Sequence, residues 1–214
     1  MKQGFVKVAA VTPDIRVADV EFNKEQICRK MDEAAASGAK IIVFPELCVT
    51  GYTCSDLFTQ DVLLDHAREV LTEIAAHTRD MDALVFVGAP LAVDGELYNV
   101  AAAMNHGKIL GLTTKTFLPN YGEFYEMRQF REGPEKAREI EFDGEMVPFG
   151  PNILFTAKQM EHLIVAAEIC EDVWSPVPPS IEAVREGATV IVNCSASDEV
   201  VGKDSYRREL ICGQ

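Results

Sequence analysis

The sequence lacks the residue spacings that are typical of metal centres and disulfide frameworks. None of its histidines stands at a spacing typical of metal ligands, and none of its cysteines forms a Cys-x-x-Cys pair. The histidines are His66, His77, His106 and His162, and the cysteines are Cys28, Cys48, Cys54, Cys170, Cys194 and Cys212. We therefore expect no bound metal ion, and we interpret the cysteines as reduced thiols of a cytoplasmic protein.

The sequence also lacks the motifs of several common enzyme classes, a membrane span and a basic surface. There is no nucleotide-binding loop of the form G-x-x-x-x-G-K-[ST] or G-x-G-x-x-G, and no G-x-S-x-G serine turn. No apolar run approaches the roughly 18 residues that a membrane span needs. The formal net charge of -14 argues against a nucleic-acid surface, which needs to be basic, and against docking on anionic membranes. We expect neither nucleic acid nor membrane as a partner.

What the sequence does contain is the hydrophobic pattern of a mixed α/β domain. Apolar residues make up 48% of the chain, which is enough for a substantial core. Strands are predicted over 5–11, 40–44, 83–87, 98–104, 108–114, 163–169 and 188–194, and helices over 22–37, 61–77, 180–186 and from 203 onwards. Hairpin turns are predicted at 94–95 and 105–107, an irregular region over 121–138, and short strands within 140–155. Gly88 is predicted to end the third strand, and the absence of a repeat or linker favours one domain over residues 1–214.

The strand over 163–169 ends directly on Cys170, which two acidic residues follow. The carboxyl ends of strands are where chemistry collects in α/β proteins, so Cys170 is a candidate nucleophile. The alternative is a structural thiol, because free cysteine is among the most buried residue types.

Two further strand ends carry an ionisable residue in apolar surroundings. Glu46 follows the apolar strand over 40–44 and a proline, a setting that suits a carboxylate for proton transfer, although a solvated loop residue is the alternative. Lys115 ends the strand over 108–114 and could donate to a developing oxyanion, although a surface lysine is the alternative. Together with Cys170, these residues predict a cysteine hydrolase whose base is a carboxylate.

The order Glu46, Lys115, Cys170 resembles the Glu-Lys-Cys triad of the nitrilase superfamily, whose members are carbon–nitrogen hydrolases acting on amides and nitriles. Three blocks, over 44–58, 115–130 and 168–174, are similar to those of one branch, the glutamine amidotransferase domains of glutamine-dependent NAD synthetases. The resemblance covers nearly the whole chain. It implies an α/β fold built as a four-layer α-β-β-α sandwich with mixed sheets.

The resemblance also implies further site residues. Glu123, eight residues after Lys115, is implied to be an additional catalytic glutamate that orients Lys115 or the substrate. The residues implied to surround the substrate are Tyr52, Tyr121, Phe124, Glu171, Trp174 and Ser197. Core packing is the alternative for the aromatic ones, since ligand sites and cores are both lined by apolar side chains.

The implied activity is hydrolysis of the side-chain amide of L-glutamine through a Cys170 thioester. In the family, the ammonia serves a C-terminal synthetase domain, which uses ATP and Mg²⁺ to amidate nicotinic acid adenine dinucleotide to NAD, whereas the glutaminase domain needs no cofactor. Nothing here matches that domain's phosphate loop, and the last predicted helix still runs at Gln214. We therefore expect a truncated amino-terminal piece of a longer, homo-oligomeric enzyme. The alternatives are a stand-alone amidase acting on another small amide and a catalytically silent structural module.

Overall fold

The computed structural model describes residues 4–214. Within them the strands are β1 (Val8–Ala10), β2 (Ile41–Val43), β3 (Leu84–Val93), β4 (Glu96–Asn105), β5 (Lys108–Thr114), β6 (Arg138–Phe142), β7 (Glu145–Gly150), β8 (Leu154–Thr156), β9 (Ile164–Ile169) and β10 (Val190–Cys194). The helices are α1 (Val20–Ala36), α2 (Asp61–His77), α3 (Glu126–Gln129), α4 (Pro179–Arg185) and α5 (Lys203–Gly213). Short 3₁₀ segments cover Tyr52–Thr59, Thr78–Asp80 and Cys170–Trp174. No helix among the described residues is long and apolar enough to cross a membrane.

The strands form two mixed sheets. The large sheet has the order β1-β2-β3-β4-β5-β7-β6, with parallel pairing from β1 to β3 and between β5 and β7, and antiparallel pairing elsewhere. The small sheet has the order β10-β9-β8, in which β9 pairs parallel with β10 and antiparallel with β8. Parallel neighbours bring their carboxyl ends to the same edge, so β1 and β2 end side by side, as do β9 and β10.

The side chains of β3 show how the layers stack. Because successive strand residues point to opposite faces, Val85 packs with α1 and α2 in one core, whereas Phe86 packs in a second core shared with Val165 of β9. On the far side of the small sheet, Ala166 packs against Ala183 of α4. The layers therefore run helices, large sheet, small sheet, helix, which confirms the predicted four-layer α-β-β-α sandwich.

Most elements lie where the sequence predicts them. Helix α2 has the predicted bounds, and the turns at 94–95 and 105–107 join β3 to β4 and β4 to β5 as expected. The region over 121–138 is irregular apart from the one-turn helix α3. The 3₁₀ segment Tyr52–Thr59 was not predicted, because its bends depend on positive or non-helical backbone angles that the sequence pattern does not signal.

The prediction that Gly88 ends the third strand is wrong. Strand β3 continues through Gly88, which pairs with Ala101 of β4, and ends at Val93. The glycine instead permits a close approach, because a Cβ atom there would lie 2.4 Å from the carbonyl oxygen of Pro45 and 2.7 Å from Cα of Glu46. Its missing side chain thus allows the segment that carries Glu46 to lie directly on the large sheet.

Candidate active site

The three predicted strand-end residues come together where the two sheets meet. Lys115 Nζ lies 2.7 Å from Glu46 Oε1, and both side chains are fully buried. Cys170 ends β9 on the facing sheet, and the segment after β10 links it to Glu46: the Ser195 hydroxyl lies 3.4 Å from Cys170 Sγ, and the Ala196 N–H donates to Glu46 Oε2 at 3.2 Å. The fold therefore unites residues that are far apart in the sequence.

Cys170 sits on a sharp turn at the end of its strand. Its φ is 44°, a left-handed conformation that costs a non-glycine residue on the order of 1–3 kcal/mol. The turn is held by Asn193 on the neighbouring strand β10, whose side-chain oxygen accepts the Cys170 N–H at 3.1 Å. Backbone strain of this kind is common at active sites, where it orients a reactive side chain. Here the strained backbone of Cys170 ends β9 and begins a sharp turn.

Lys115 is held between two carboxylates. Besides Glu46, it donates to Glu126 Oε1 at 2.6 Å, and the Lys115 side chain is fully buried. Burial alone would lower the pKa of Lys115, but the charges of Glu46 and Glu126 outweigh it and raise that pKa above the ordinary value. Lys115 is therefore a permanent buried cation at physiological pH.

Glu123 is predicted to orient Lys115 or the substrate, and the structure places Glu126 rather than Glu123 against Lys115. Glu123 is exposed, whereas Glu126 is 4% exposed and accepts hydrogen bonds from Lys115 and from the Tyr52 hydroxyl, the latter at 2.8 Å. The one-turn helix α3 begins at Glu126 and turns its side chain inward. Helix α3 lies in a region predicted to be irregular, so no sequence signal indicated that Glu126 turns toward Lys115. A contact of Glu123 with substrate stays a prediction.

The Glu126→Gln variant should separate these two glutamates. Burial, partly offset by Lys115, raises the pKa of Glu126 to about 6, so protonation weakens its bond to Lys115 as the pH falls through that value. We expect Glu126→Gln to lower kcat/KM for hydrolysis about 10–100-fold at pH 8, the scale of one charge-assisted hydrogen bond. We expect the parent protein to lose activity below about pH 6, where Glu126 becomes protonated, and the variant's pH profile should lack this acid limb. The Glu123→Gln variant should keep the acid limb of the pH profile, because Glu126 and not Glu123 holds Lys115. Loss of that limb in Glu123→Gln instead of Glu126→Gln would show that Glu123 orients Lys115.

The Cys170 thiol cannot ionise unaided at neutral pH. Burial, together with the nearby charge of Glu46, raises the pKa of Cys170 to about 12, and Lys115 offsets this only in part. To act as a nucleophile, Cys170 would therefore need a base that takes the thiol proton during attack. Glu46 is the carboxylate available for this role. Its orientation is fixed because its Oε1 accepts hydrogen bonds from Lys115 Nζ and Asn99 Nδ2, each at 2.7 Å.

Asp172 ties the nucleophile and the lysine together. Its carboxylate accepts the backbone N–H groups of Thr116 and Phe117, directly after Lys115, and of Ile169, directly before Cys170. The side chain is fully buried, and burial raises the pKa of Asp172 to about 7. These hydrogen bonds hold the segment after Lys115 and the end of β9 at a fixed separation.

Four of the predicted substrate residues form one aromatic cluster. The Tyr121 hydroxyl donates to both carboxylate oxygens of Glu171, at 2.9 and 3.0 Å, and the Tyr121 ring meets Phe124 edge-on at a centroid distance of 5.8 Å. Phe124 in turn meets Tyr52 edge-on at 6.4 Å, and Tyr52 reaches Glu126. The cluster thus connects Glu171 to the carboxylate that holds Lys115.

The other two predicted substrate residues, Ser197 and Trp174, lie outside this cluster and have different neighbours. The Ser197 N–H donates to the Ser195 hydroxyl at 3.3 Å, which places Ser197 beside Cys170. Trp174 instead stacks on Tyr206 of α5, with ring centroids 5.6 Å apart. A contact of Trp174 with substrate therefore stays a prediction. Among residues 4–214, no three His, Cys, Asp or Glu side chains cluster in a way that could hold a metal ion.

Comparison with known sequences gives a consistent result. Residues 7–211 match the carbon-nitrogen hydrolase family. The glutamine-dependent NAD(+) synthetase of Mycobacterium leprae (strain TN) is 38% identical over 208 residues, which cover 97% of this chain and 31% of that protein. The enzyme of the same name from Aquifex aeolicus (strain VF5) is 37% identical over 195 residues, which cover 91% and 31%. The chain thus spans about a third of the length of these curated relatives.

Solved structures agree with the sequence comparison. A glutamine-dependent NAD(+) synthetase from Cytophaga hutchinsonii superposes with a TM-score of 0.86 at 31% identity, covering 97% of this chain and 33% of that one. An amidase of the nitrilase superfamily from Nesterenkonia superposes with a TM-score of 0.71 at 22% identity, covering 100% and 72%. The second similarity concerns the fold alone.

Proposed function

Because the chain belongs to the carbon-nitrogen hydrolase family, we propose that it hydrolyses the side-chain amide of L-glutamine, with Cys170 as nucleophile and Glu46 as general base. The observation that carries the proposal is the buried cation Lys115, held by Glu46 beside a cysteine that cannot ionise alone. Such an arrangement supplies both a base and an oxyanion donor to acyl transfer. The relatives named glutamine-dependent NAD(+) synthetases support glutamine as the amide.

The first half of the reaction forms a thioester. Glu46 takes the proton of the Cys170 thiol while the sulfur attacks the side-chain amide carbon of glutamine. Negative charge then develops on the amide oxygen, where Lys115 Nζ and the N–H of Glu171 would donate to it. As the carbon–nitrogen bond breaks, Glu46 returns the proton to the leaving nitrogen. Ammonia departs, and the glutamyl group stays on the sulfur.

The second half releases glutamate. A water molecule enters the place of ammonia and gives a proton to Glu46 as its oxygen attacks the thioester carbon. The same two donors stabilise the second oxyanion, whose collapse breaks the carbon–sulfur bond. The proton on Glu46 then returns to the Cys170 sulfur, which restores the resting thiol. Glu46 thus acts alternately as base and acid within one turnover.

Selection of glutamine would rest on Glu171. Its carboxylate is oriented by the Tyr121 hydroxyl and suits the α-ammonium group of an amino acid. Tyr52 and Phe124 would cover the aliphatic part of the substrate, since aromatic walls commonly line sites for small molecules. Ser197 lies next to Ser195 and would contact the α-carboxylate.

The wider role we propose is the supply of ammonia for NAD synthesis. The relatives are about three times as long as this chain, so a synthetase domain outside it would consume the ammonia. ATP and Mg²⁺ would act in that synthetase domain. We likewise propose a cytoplasmic location, in keeping with the free state of all six cysteines. The proposed homo-oligomeric state rests on the family resemblance alone.

An assay of ammonia release tests the substrate. We expect kcat/KM for L-glutamine to exceed that for butyramide by about 100-fold or more, because only glutamine carries the α-ammonium group that can pair with Glu171. The Glu171→Gln variant, which keeps the shape of the side chain, should raise KM for glutamine roughly 10–100-fold. It should leave butyramide hydrolysis nearly unchanged.

A different pattern would support the second candidate. If butyramide and glutamine are hydrolysed with similar kcat/KM, and Glu171→Gln affects neither, the chain is a general small-amide hydrolase of the nitrilase type. If no amide is hydrolysed although Cys170 is alkylated by small electrophiles, the catalytically silent alternative gains support.

A further inference from the structure

Ser195 is a residue of this site that neither the triad nor the predicted substrate contacts include. It follows β10 directly, and the parallel register that pairs Cys194 with Ile169 brings Ser195 opposite Cys170. Its hydroxyl oxygen lies 3.4 Å from Cys170 Sγ, within the range of a hydrogen bond to sulfur. Both residues thus leave neighbouring strands at the same level, with their reactive atoms in contact.

Ser197, two residues further along the chain, determines which hydrogen-bonding role the Ser195 hydroxyl can take toward Cys170. The Ser197 N–H donates to Ser195 Oγ at 3.3 Å, so the oxygen already acts as an acceptor toward Ser197. Its own hydrogen is then available for the sulfur. The residue between them, Ala196, donates its N–H to Glu46 Oε2 at 3.2 Å. One three-residue segment therefore contacts both the nucleophile and the base.

We infer that Ser195 is a further catalytic residue, whose hydroxyl donates a hydrogen bond to the Cys170 sulfur and stabilises it as a thiolate during attack. The inference rests on the proposed cysteine chemistry. A thiolate accepts a hydrogen bond far better than a thiol or a thioester sulfur, so the contact strengthens as the charge develops. The proton of Cys170 still goes to Glu46, and Ser195 keeps its own proton throughout. The same bond assists the sulfur when it leaves the thioester.

The Ser195→Ala variant tests this without any substrate. Ser195 is exposed, so its replacement leaves no buried cavity. Loss of one hydrogen bond to a charged group should raise the pKa of Cys170 by about one unit or more. The rate of alkylation at Cys170 by iodoacetamide, followed by peptide mass spectrometry from pH 7 to 9.5, should then fall at every pH. The fall should be about three- to tenfold, because a more basic thiolate is also intrinsically more reactive.

Two further variants make the result specific. Ser195→Thr keeps the hydroxyl and should restore the rate of alkylation, whereas Ser205→Ala, at an exposed position on α5, should leave it unchanged. A larger reagent such as N-ethylmaleimide should show the same ratio between Ser195→Ala and the parent protein, because the effect lies in ionisation and not in access. If alkylation of Ser195→Ala stays within about 1.5-fold of the parent at all pH values, well below the effect of a charge-assisted bond, the inference is overturned. If the ratio depends on reagent size, Ser195 only shapes access and the inference also fails.

The outcome is independent of the substrate assay. A parent protein that fails to hydrolyse glutamine but shows the slower alkylation in Ser195→Ala would refute the proposed function and keep the role of Ser195. The opposite result is a parent protein that hydrolyses glutamine while Ser195→Ala changes neither kcat/KM nor the rate of alkylation. It would support the proposed function and refute the role of Ser195.

Discussion

Replacement of Cys170 by alanine is expected to reduce ammonia release from glutamine by at least about 10⁴-fold, the scale seen when a covalent nucleophile is lost. No other side chain can replace the Cys170 sulfur, because the thioester forms on the residue that directly follows β9. Cys170→Ser should be equally inactive, although it keeps the size of the side chain. A carboxylate such as Glu46 can deprotonate a thiol far more readily than an alcohol.

Another cysteine provides the matched control. Cys212 is an exposed free thiol on α5, and Cys212→Ala should change neither activity nor the melting temperature. Thermal unfolding of Cys170→Ala should show a fold as stable as the parent, since the change removes one atom from a strained turn. If Cys170→Ala retains glutamine hydrolysis within tenfold of the parent, Cys170 is not the nucleophile.

The strand-end positions of Glu46, Lys115 and Cys170 could be predicted because each residue follows a recognisable strand. The apolar runs before Glu46, Lys115 and Cys170 fix where each strand ends, and carboxyl ends of strands are where reactive groups gather. The sequence does not tell which strand ends meet across the two sheets. That juxtaposition came from the family resemblance, and the structure supplies its geometry.

The second glutamate shows what could not be predicted. Glu123 and Glu126 lie three residues apart in an irregular region without a strong hydrophobic pattern. Which of them turns inward depends on the one-turn helix α3 and on the hydrogen bond between Tyr52 and Glu126, a contact that spans 74 residues. Pattern-based prediction has no access to such tertiary contacts.

The supporting polar residues were missed for a similar reason. Asn99 lies inside a buried strand, Asp172 follows Cys170, and Ser195 follows a strand, and the positions of Asp172 and Ser195 carry no local signal of function. A buried polar residue in an apolar strand, such as Asn99, is the one signal that the sequence offered, because it needs a partner. Here that partner is Glu46.

Replacement of Lys115 by methionine is expected to have the largest combined effect on stability and activity. It leaves Glu46 and Glu126 buried without their shared cation, a change that typically costs about 3–5 kcal/mol. The corresponding fall in melting temperature is roughly 6–20 °C for a domain of this size. Lys108→Met is the matched control on the same strand, because Lys108 pairs with Glu145 in solvent and should cost less than about 1 kcal/mol.

A double variant separates the two consequences of Lys115→Met. Adding Glu126→Gln removes one of the two unpaired buried charges, so the melting temperature should recover in part. Glutamine hydrolysis should not recover, because the cation that faces the oxyanion is still missing, and loss of one such donor costs about 10²–10³-fold in kcat. Alkylation of Cys170 should also slow, since Lys115 no longer offsets the charge of Glu46 beside the thiolate. If the double variant recovers stability and activity together, Lys115 serves only to neutralise the buried carboxylates, and the oxyanion must find its donors elsewhere.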